Sequence, residues 1–253
     1  MKRAMSMFLA GILIVALVAC GDTGEHTDAQ GGQEQAEMSQ EAKTQEHVES
    51  QKASDTPGSD PASSGEESGS NILVAYFSRM GNTEFDADVD AVTSASLNLE
   101  GDILVGNAEV LARMAQEITG GDLFLIETAE PYPSSYDETT DVAAEEQDND
   151  ARPELSSHVE NMDHYDTVIL IYPNWWGTLP QPLFSFLEEY DFSGKTILPL
   201  CTHAGSRMGR SEEDIAGLCP SAMLLEGLAV RGSEVYDAQA DVENWIMESG
   251  ILN

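Results

Sequence analysis

The run TVILIY at Thr167–Tyr172 is apolar at nearly every position and does not alternate with polar residues. A strand of this kind is buried on both faces, which is typical of parallel sheets covered by helices. Parallel neighbours need long crossover connections, and these are usually helices. The run therefore predicts an α/β domain in which strands and helices alternate.

Such an alternation extends from Asn71 towards the C-terminus. Four further segments have the apolar, β-rich character of strands: Ile72–Phe77, Leu123–Ile126, Thr196–Leu200 (in spite of Pro199) and Ala222–Leu228. Five segments have helical spacing: Asn107–Thr119, Tyr136–Asp148, Pro182–Tyr190, Ser211–Leu218 and Ala238–Met247, with Asn107 and Ser211 as predicted N-caps. This order predicts a doubly wound parallel sheet, whose ligands bind at the carboxyl ends of the strands.

The first twenty residues form a pattern of their own. Lys2 and Arg3 precede an apolar stretch, Phe8–Val18, which is too short for a stable membrane span. The run Leu17-Val18-Ala19-Cys20 resembles the lipobox of bacterial lipoproteins, in which the cysteine receives a diacylglycerol. We therefore expect a signal peptide at residues 1–19 and an extracytoplasmic protein lipid-anchored to the bacterial cell membrane through Cys20. The alternative is an ordinary secretory leader with a chance cysteine.

Residues 20–70 are rich in Gln, Glu, Ser, Gly and Ala and contain no aromatic residue. They cannot bury enough apolar surface to offset the entropy of ordering, so we expect a disordered acidic tether, followed by one domain at residues 71–253. The chain has a formal net charge of −35, from 46 acidic and 11 basic residues. This excess excludes a duplex nucleic-acid partner. It favours a basic docking partner, although a solvated acidic surface explains it equally well.

Three polar loops follow three predicted strands, and in a parallel sheet such loops lie at the same edge. They are Ser78-Arg79-Met80-Gly81-Asn82-Thr83, Pro173-Asn174-Trp175-Trp176-Gly177-Thr178 and Cys201-Thr202-His203-Ala204-Gly205-Ser206. A turn rich in hydroxyl and backbone N–H groups can hold a phosphate, and paired tryptophans can form a platform for a flat ring. Each loop alone is also explained as an ordinary turn, an edge cover or a surface histidine, but three in succession favour a common ligand.

With these loops the sequence resembles the flavodoxin-like family, in particular its extracytoplasmic lipoprotein branch, from Asn71 to the C-terminus. The resemblance implies a flavodoxin-like five-stranded parallel sheet in the order 2-1-3-4-5 that binds FMN non-covalently. It assigns Ser78, Arg79, Met80, Gly81, Asn82 and Thr83 to the FMN phosphate, Pro173, Asn174, Trp175, Trp176 and Gly177 to the isoalloxazine ring, and Thr202, His203, Gly205 and Ser206 to its pyrimidine edge. It also implies that Gly177 lets a peptide approach flavin N5 and flip with the redox state.

The segment after the first loop departs from the family pattern. Met80 stands where the family commonly has threonine, which removes one phosphate hydroxyl. A flavodoxin phosphate loop normally opens its helix at once, whereas here Gly81-Asn82-Thr83-Glu84 is echoed by Gly106-Asn107-Ala108-Glu109 before helical spacing begins. The sequence therefore predicts an excursion of about twenty residues, looped out between turn and helix, of the kind that is usually functional or disordered.

Within the excursion, Asp90-Ala91-Val92-Thr93-Ser94-Ala95-Ser96 resembles the motif that extracytoplasmic flavin transferases modify. The resemblance makes the hydroxyl of Ser96 a candidate for covalent attachment of FMN through its phosphate. Ser94 stands where that motif usually has glycine. The alternative is a small-residue loop that packs over the phosphate turn.

Two function classes compete, with a third in reserve. One is an electron carrier between redox partner proteins outside the cytoplasm, and another is an FMN-dependent NAD(P)H or quinone oxidoreductase of the same fold; the third is a flavin-free interaction module. The sequence shows no second dinucleotide fingerprint, which favours the carrier. His158, His164 and His203 lack metal-ligand spacing, so no metal is expected.

The two cysteines that follow Cys20, Cys201 and Cys219, are predicted to be free thiols. The intervening helix of about eight residues displaces them by roughly 12 Å. A disulfide needs Cα atoms within about 7 Å.

Overall fold

The structure is a computed structural model, and it describes residues 70–85, 92 and 94–252. The predicted signal peptide, Cys20 and the tether up to residue 69 lie outside the described residues, as do Asp90, Ala91 and Thr93 of the predicted flavinylation motif. The described residues group into one compact unit. No helix within the described ranges combines the length and apolar character that crossing a bilayer requires.

A parallel sheet forms the centre of this unit. In chain order the strands are β1 (Ile72–Tyr76), β2 (Leu97–Glu100), β3 (Ile103–Gly106), β4 (Asp122–Leu125), β5 (Thr167–Pro173), β6 (Thr196–His203), β7 (Met223–Leu224) and β8 (Leu228–Arg231). The main sheet has the order β4-β1-β5-β6, and β7 and β8 both pair with β6, every pairing being parallel. Since β7 and β8 are the predicted fifth strand in two pieces, the predicted order 2-1-3-4-5 is confirmed.

Helices cover both faces of the sheet. They are α1 (Asn107–Thr119), α2 (Tyr136–Asp148), α3 (Gln181–Glu189), α4 (Ser211–Leu218) and α5 (Gln239–Ser249), with short 3₁₀ turns at Met162–His164 and Gly232–Asp237. One core packs Val74 and Ile169 against α1 and α5, and the other packs Leu73 and Val168 against α3 and α4. All seven residues of β5 are buried, as the unbroken apolar run predicted.

Both predicted N-caps are wrong, and for the same reason. The cap positions belong to Gly106 and Arg210, and neither makes a side-chain cap bond. The side chain of Asn107 instead donates to the carbonyl of Ser94 at 2.8 Å, and the Ser211 hydroxyl donates to the carbonyl of Met208 at 2.6 Å. Both side chains that local sequence assigned to capping therefore donate to carbonyls outside their helices.

The second half of the excursion, from Leu97 to Gly106, is a β-hairpin and not an irregular loop. β2 and β3 pair antiparallel, with Glu100 opposite Ile103. Gly101 has φ +64°, which a two-residue turn with glycine first requires. The signal in the sequence was Leu97 and Leu99 at alternate positions before Gly101-Asp102, with the apolar run Ile103-Leu104-Val105 after it.

The cysteine prediction is confirmed: Cys201 and Cys219 are both free and buried. Burial raises the pKa of the Cys201 thiol to about 12 and that of Cys219 to about 11. A thiol with so high a pKa is not a thiolate at neutral pH. Neither cysteine therefore offers a nucleophile.

Gly232 packs closely against the excursion, and this contact leads to a prediction about the stability of the protein. A Cβ on Gly232 would come within 1.9 Å of the carbonyl oxygen of Ser94, whereas one on Gly217, inside α4, would meet nothing within 4 Å. Gly232→Ala is therefore expected to lower the free energy of unfolding by about 1–3 kcal/mol, and Gly217→Ala to raise it by about 0.4–1 kcal/mol. Urea unfolding of both variants checks this, and equal midpoints would contradict the docking of the excursion.

Candidate functional site

The first predicted loop, Ser78–Thr83, is anchored by its asparagine. Nδ2 of Asn82 donates to the carbonyls of Ser78 and Ile126, both at 2.9 Å. Its Oδ1 accepts the N–H of Thr128 at 2.7 Å. The amide that sequence reasoning assigned to a phosphate thus joins this loop to the end of β4.

Arg79 is the member of this loop that reaches the cleft at the sheet edge. Its side chain is 1% exposed, and Nη2 donates to the carbonyls of Pro133 and Ser134, each at 2.9 Å. The guanidinium also lies 5.1 Å from the centre of the Phe85 ring. The other residues assigned to the phosphate do not line the cleft: Ser78, Met80, Gly81, Asn82 and Thr83.

The second loop forms a tight two-residue turn. Trp175 and Thr178 exchange both backbone hydrogen bonds, at 3.0 and 3.1 Å. Between them Trp176 has φ +50° and Gly177 φ +85°, the signs that a type I′ turn requires. Glycine and asparagine tolerate this region and a tryptophan rarely does, so the turn holds Trp176 in a strained conformation, a feature that clusters at functional sites.

Asn174 fixes this turn from below. Its Oδ1 accepts the N–H of Gly177 at 3.0 Å, and its Nδ2 donates to the carbonyl of Arg207 at 2.7 Å. The carbonyl of Gly177 accepts the N–H of Arg210 at 2.8 Å. The second loop and the segment after β6 are therefore held together, while Pro173 ends β5 and is buried.

The two tryptophans have different surroundings. Trp176 is 57% exposed and its Nε1 donates to the carbonyl of Thr140 at 3.0 Å. Trp175 is partly buried, lies edge-on against Phe77 and donates through Nε1 to the hydroxyl of Ser96 at 2.9 Å. Trp176 is the ring with a free face, and Trp175 forms part of the wall behind it.

The third loop is partly absorbed into β6. Thr202 and His203 pair with Val230 and Arg231 of β8, and so belong to the strand. The Thr202 hydroxyl donates to the carbonyl of Ala95 at 2.6 Å. The Nδ1 atom of His203 accepts the N–H of Gly205 at 2.9 Å. Burial, and then the charges of Arg231 and Arg207, lower the pKa of His203, which keeps its ring neutral at pH 7.

These loops enclose a cleft of about 450 Å³, within the range of about 300–1,000 Å³ that small-molecule sites have. The loops supply Arg79, Asn174, Trp175, Trp176, Gly205 and Ser206, together with Ala204. Sequence reasoning missed the contribution of α2, which consists of Tyr136, Thr139, Thr140 and Ala143. From the excursion it had named Ser96 as a candidate site residue, but not Ser94 and Ala95, which also line the cleft. The positions on α2 follow helical spacing and form an uncharged face on an acidic helix. This pattern could have been recognised in the sequence.

The excursion also contacts the N-terminus of α1. The N–H of Asn107 donates to the carbonyl of Ser96 at 2.9 Å, and its side chain donates to the carbonyl of Ser94. The N–H groups of the first turn of a helix can attract anions. Here the carbonyl of Ser96 takes one of them, and Ser96 itself lines the cleft and is 7% exposed.

The comparisons with known proteins agree with this architecture. The family model described as Flavodoxin matches residues 103–249, more than half of the chain. The chain belongs to the flavodoxin family. The match begins inside the hairpin, after the first loop, and includes the second Gly-Asn copy at Gly106-Asn107. A comparison with curated protein sequences found no match.

Two solved structures from Bacteroides share this fold. A flavoprotein from Bacteroides eggerthii is 26% identical to this chain, with a TM-score of 0.55. The match covers 72% of this chain and 99% of that protein's chain. One from Bacteroides uniformis is 24% identical, with a TM-score of 0.53, covering 71% and 99%. A flavoprotein from Lactobacillus acidophilus, solved in complex with FMN, is 17% identical, with a TM-score of 0.45, covering 68% and 99%.

Membership in this family makes FMN the cofactor of the chain, and the chemistry of the cleft fits that group. FMN combines a flat aromatic ring with an anionic phosphate. The cleft offers the exposed ring of Trp176, several hydroxyls, and Arg79, which is the one charged residue among the described residues that line it. Among the described residues no cluster of three or more His, Cys, Asp or Glu could hold a metal ion.

Proposed function

We propose that this flavodoxin binds FMN in the cleft at the carboxyl edge of the sheet and carries electrons between redox partner proteins. In this proposal the chain works outside the cytoplasm and is tethered to the bacterial membrane by a lipid on Cys20. The lipobox-like run before Cys20 and the aromatic-free tether support the location. The residues that line the cleft support the binding of FMN.

The exposed Trp176 in its strained turn is the observation that carries the proposal. A large aromatic side chain that is 57% exposed, in a backbone conformation unfavourable for it, is retained where its position has a use. The turn presents the ring beside the cleft, and Thr140 of α2 accepts its N–H. A flat isoalloxazine ring is the part of FMN that such a face would stack on.

FMN, when bound, supplies the redox chemistry, and the chain's own residues bind and orient it. Arg79 provides a positive charge for the phosphate. The rigid base that Asn174 gives to the second loop keeps Trp176 in place. Ser206 and Gly205 form the opposite rim, held by the neutral ring of His203.

The stacking assignment predicts a selective loss of flavin. Trp176→Ala should bind FMN at least about tenfold more weakly, the loss expected for one stacked ring. Trp245→Ala is the matched control, because Trp245 also donates through Nε1 to a backbone carbonyl, that of Glu226, but does not line the cleft. Flavin fluorescence titration gives both dissociation constants, and equal affinity in the two variants would remove Trp176 from the site.

The carrier assignment predicts which compounds can reduce the protein and which the reduced protein can reduce. Oxidised protein mixed anaerobically with NADPH, NADH or a reduced quinone should keep its flavin absorbance, because a carrier takes electrons from a protein partner. After reduction by dithionite it should reduce a basic cytochrome, and more slowly at high salt, since the acidic surface steers that partner. Rapid bleaching by NADPH would favour the oxidoreductase instead, and protein purified without flavin would favour the interaction module.

The covalent link at Ser96 stays a prediction that mass spectrometry can decide. The Ser96 hydroxyl lies in the cleft and accepts the indole N–H of Trp175. A covalent link would leave flavin in the pellet after acid precipitation of protein from a host with flavin transferase, and would add the mass of FMN, less one water, to the Ser96 peptide. Ser96→Ala would abolish both signals, and Ser206→Ala, at the same cleft, would keep them. An unmodified peptide leaves the segment as a loop packed across the cleft floor.

A further inference from the structure

Trp175 and Tyr132 form a continuous pair of oxidisable rings that starts at the FMN cleft. Their ring centroids lie 5.2 Å apart, with the rings edge to face at 81°. Phe77 packs edge-on against both, at 5.4 Å from Trp175 and 6.0 Å from Tyr132. Tyr132 is 5% exposed and does not line that cleft. The pair therefore leads from the cleft into the protein interior.

Tyr132 ends in a hydrogen bond to a carboxylate. Its hydroxyl donates to Oε2 of Glu146 at 2.8 Å. Burial, and then the charge and hydrogen bond of Glu146, raise the pKa of Tyr132, so the phenol keeps its proton at neutral pH. Burial also raises the pKa of Glu146, against the opposing effect of the bond from Tyr132. A neutral phenol is thus paired with a base that can accept its proton.

Glu146 opens onto a second cleft, of about 330 Å³. The charged residues that line this cleft with it are Glu130, Arg152 and Glu154. Arg152 is engaged by Glu188 and Asp150, at 2.7 and 2.8 Å. A proton that arrives on Glu146 can therefore exchange with solvent on a face that does not belong to the FMN cleft.

Building on the FMN binding proposed above, we propose that Trp175, Tyr132 and Glu146 form a proton-coupled relay that removes oxidising equivalents from the FMN cleft. The oxidant is the bound flavin after it absorbs light. Trp176 is outside the relay, because it makes no aromatic ring contact within the described part of the chain and donates to Thr140.

The steps balance in electrons and protons. Trp175 gives one electron to the excited flavin and becomes a cation radical. Tyr132 then gives one electron to Trp175, its O–H bond breaks, and the proton passes to the carboxylate of Glu146. The products are intact Trp175, a neutral tyrosyl radical, a protonated Glu146 and a flavin that holds the transferred electron. Return of the electron to Tyr132 and of the proton from Glu146 restores the resting protein without a net reaction.

Laser-flash photolysis of the FMN-loaded protein tests the relay. A tyrosyl radical should follow the tryptophan radical, seen by transient absorption and by electron paramagnetic resonance after rapid freezing. Tyr132→Phe should abolish the tyrosyl signal and prolong the tryptophan radical. Glu146→Gln should slow tyrosyl formation by about tenfold or more, since the proton loses its charged acceptor. Wild-type formation should also slow as the pH falls through the pKa of Glu146, and Glu146→Gln should lack this dependence.

Tyr165→Phe is the matched control. Tyr165 also donates to a carboxylate, Oδ2 of Asp122 at 2.9 Å, but lies away from Trp175. Its replacement should leave every radical signal unchanged. A tyrosyl radical that persists in Tyr132→Phe, or that is lost in Tyr165→Phe, overturns the relay.

A flavin-free arm separates this inference from the proposed function. The chain has three tryptophans, so replacing Trp176 and Trp245 by phenylalanine leaves Trp175 as the one indole that azide radicals from pulse radiolysis can oxidise. Transfer of that oxidation to a tyrosine, abolished by Tyr132→Phe, supports the relay even in protein that binds no FMN. Bound FMN without transfer to Tyr132 in either arm overturns the relay and leaves the proposed function standing.

Discussion

The parallel pairing of β1 with β5 decides where everything else in the molecule lies. The two strands share five residue pairs in register, and β5 is buried along its whole length. From β1 the chain crosses to β4 on one side, and from β5 it crosses to β6 on the other. The connections therefore separate at the carboxyl edge between these two strands, and a crevice results that loops can line but not fill. The FMN cleft is a consequence of this divergence.

The hairpin excursion changes what this crevice offers. In a chain whose first loop opened its helix directly, the N-terminus of α1 would present free N–H groups to a ligand. Here the carbonyl of Ser96 occupies that position, and the same residue bonds the indole of Trp175. One short segment thus occupies one N–H group at the start of α1 and fixes the ring at the start of the proposed relay. In the proposed function the positive charge for the phosphate comes from Arg79, which is nearly sequestered from water.

Periodic and local features were readable from the sequence, and long-range ones were not. The unbroken apolar run of β5 predicted its burial, and the spacing of α1 and α2 predicted the bounds of these two helices, since burial repeats with the geometry of each element. The order of the strands was implied by the resemblance to the flavodoxin-like family. Asn82, Thr202 and His203 were expected at this edge because their segments follow predicted strands. The hydrogen bonds of Asn82 to Ile126 and of Thr202 to Ala95 depend on how distant segments meet, which no local pattern records. The hairpin was not predicted, although Gly101-Asp102 stands between two apolar segments.

The chain as a whole is strongly acidic, whereas the described lining of the cleft contains Arg79 and no acidic residue. The arrangement of residues on α2 explains how both can hold. This helix carries six acidic residues and no basic one, yet its cleft-facing positions are Tyr136, Thr139, Thr140 and Ala143. Its acids lie on the other faces, so a phosphate dianion in the cleft meets Arg79 and hydroxyls first. Charges further away are screened within a Debye length of about 8 Å at physiological ionic strength. A protein partner approaching from solvent meets the acidic faces of α2 beside the exposed ring of Trp176. The same helix therefore favours an anionic cofactor inside the cleft and a basic partner at its mouth.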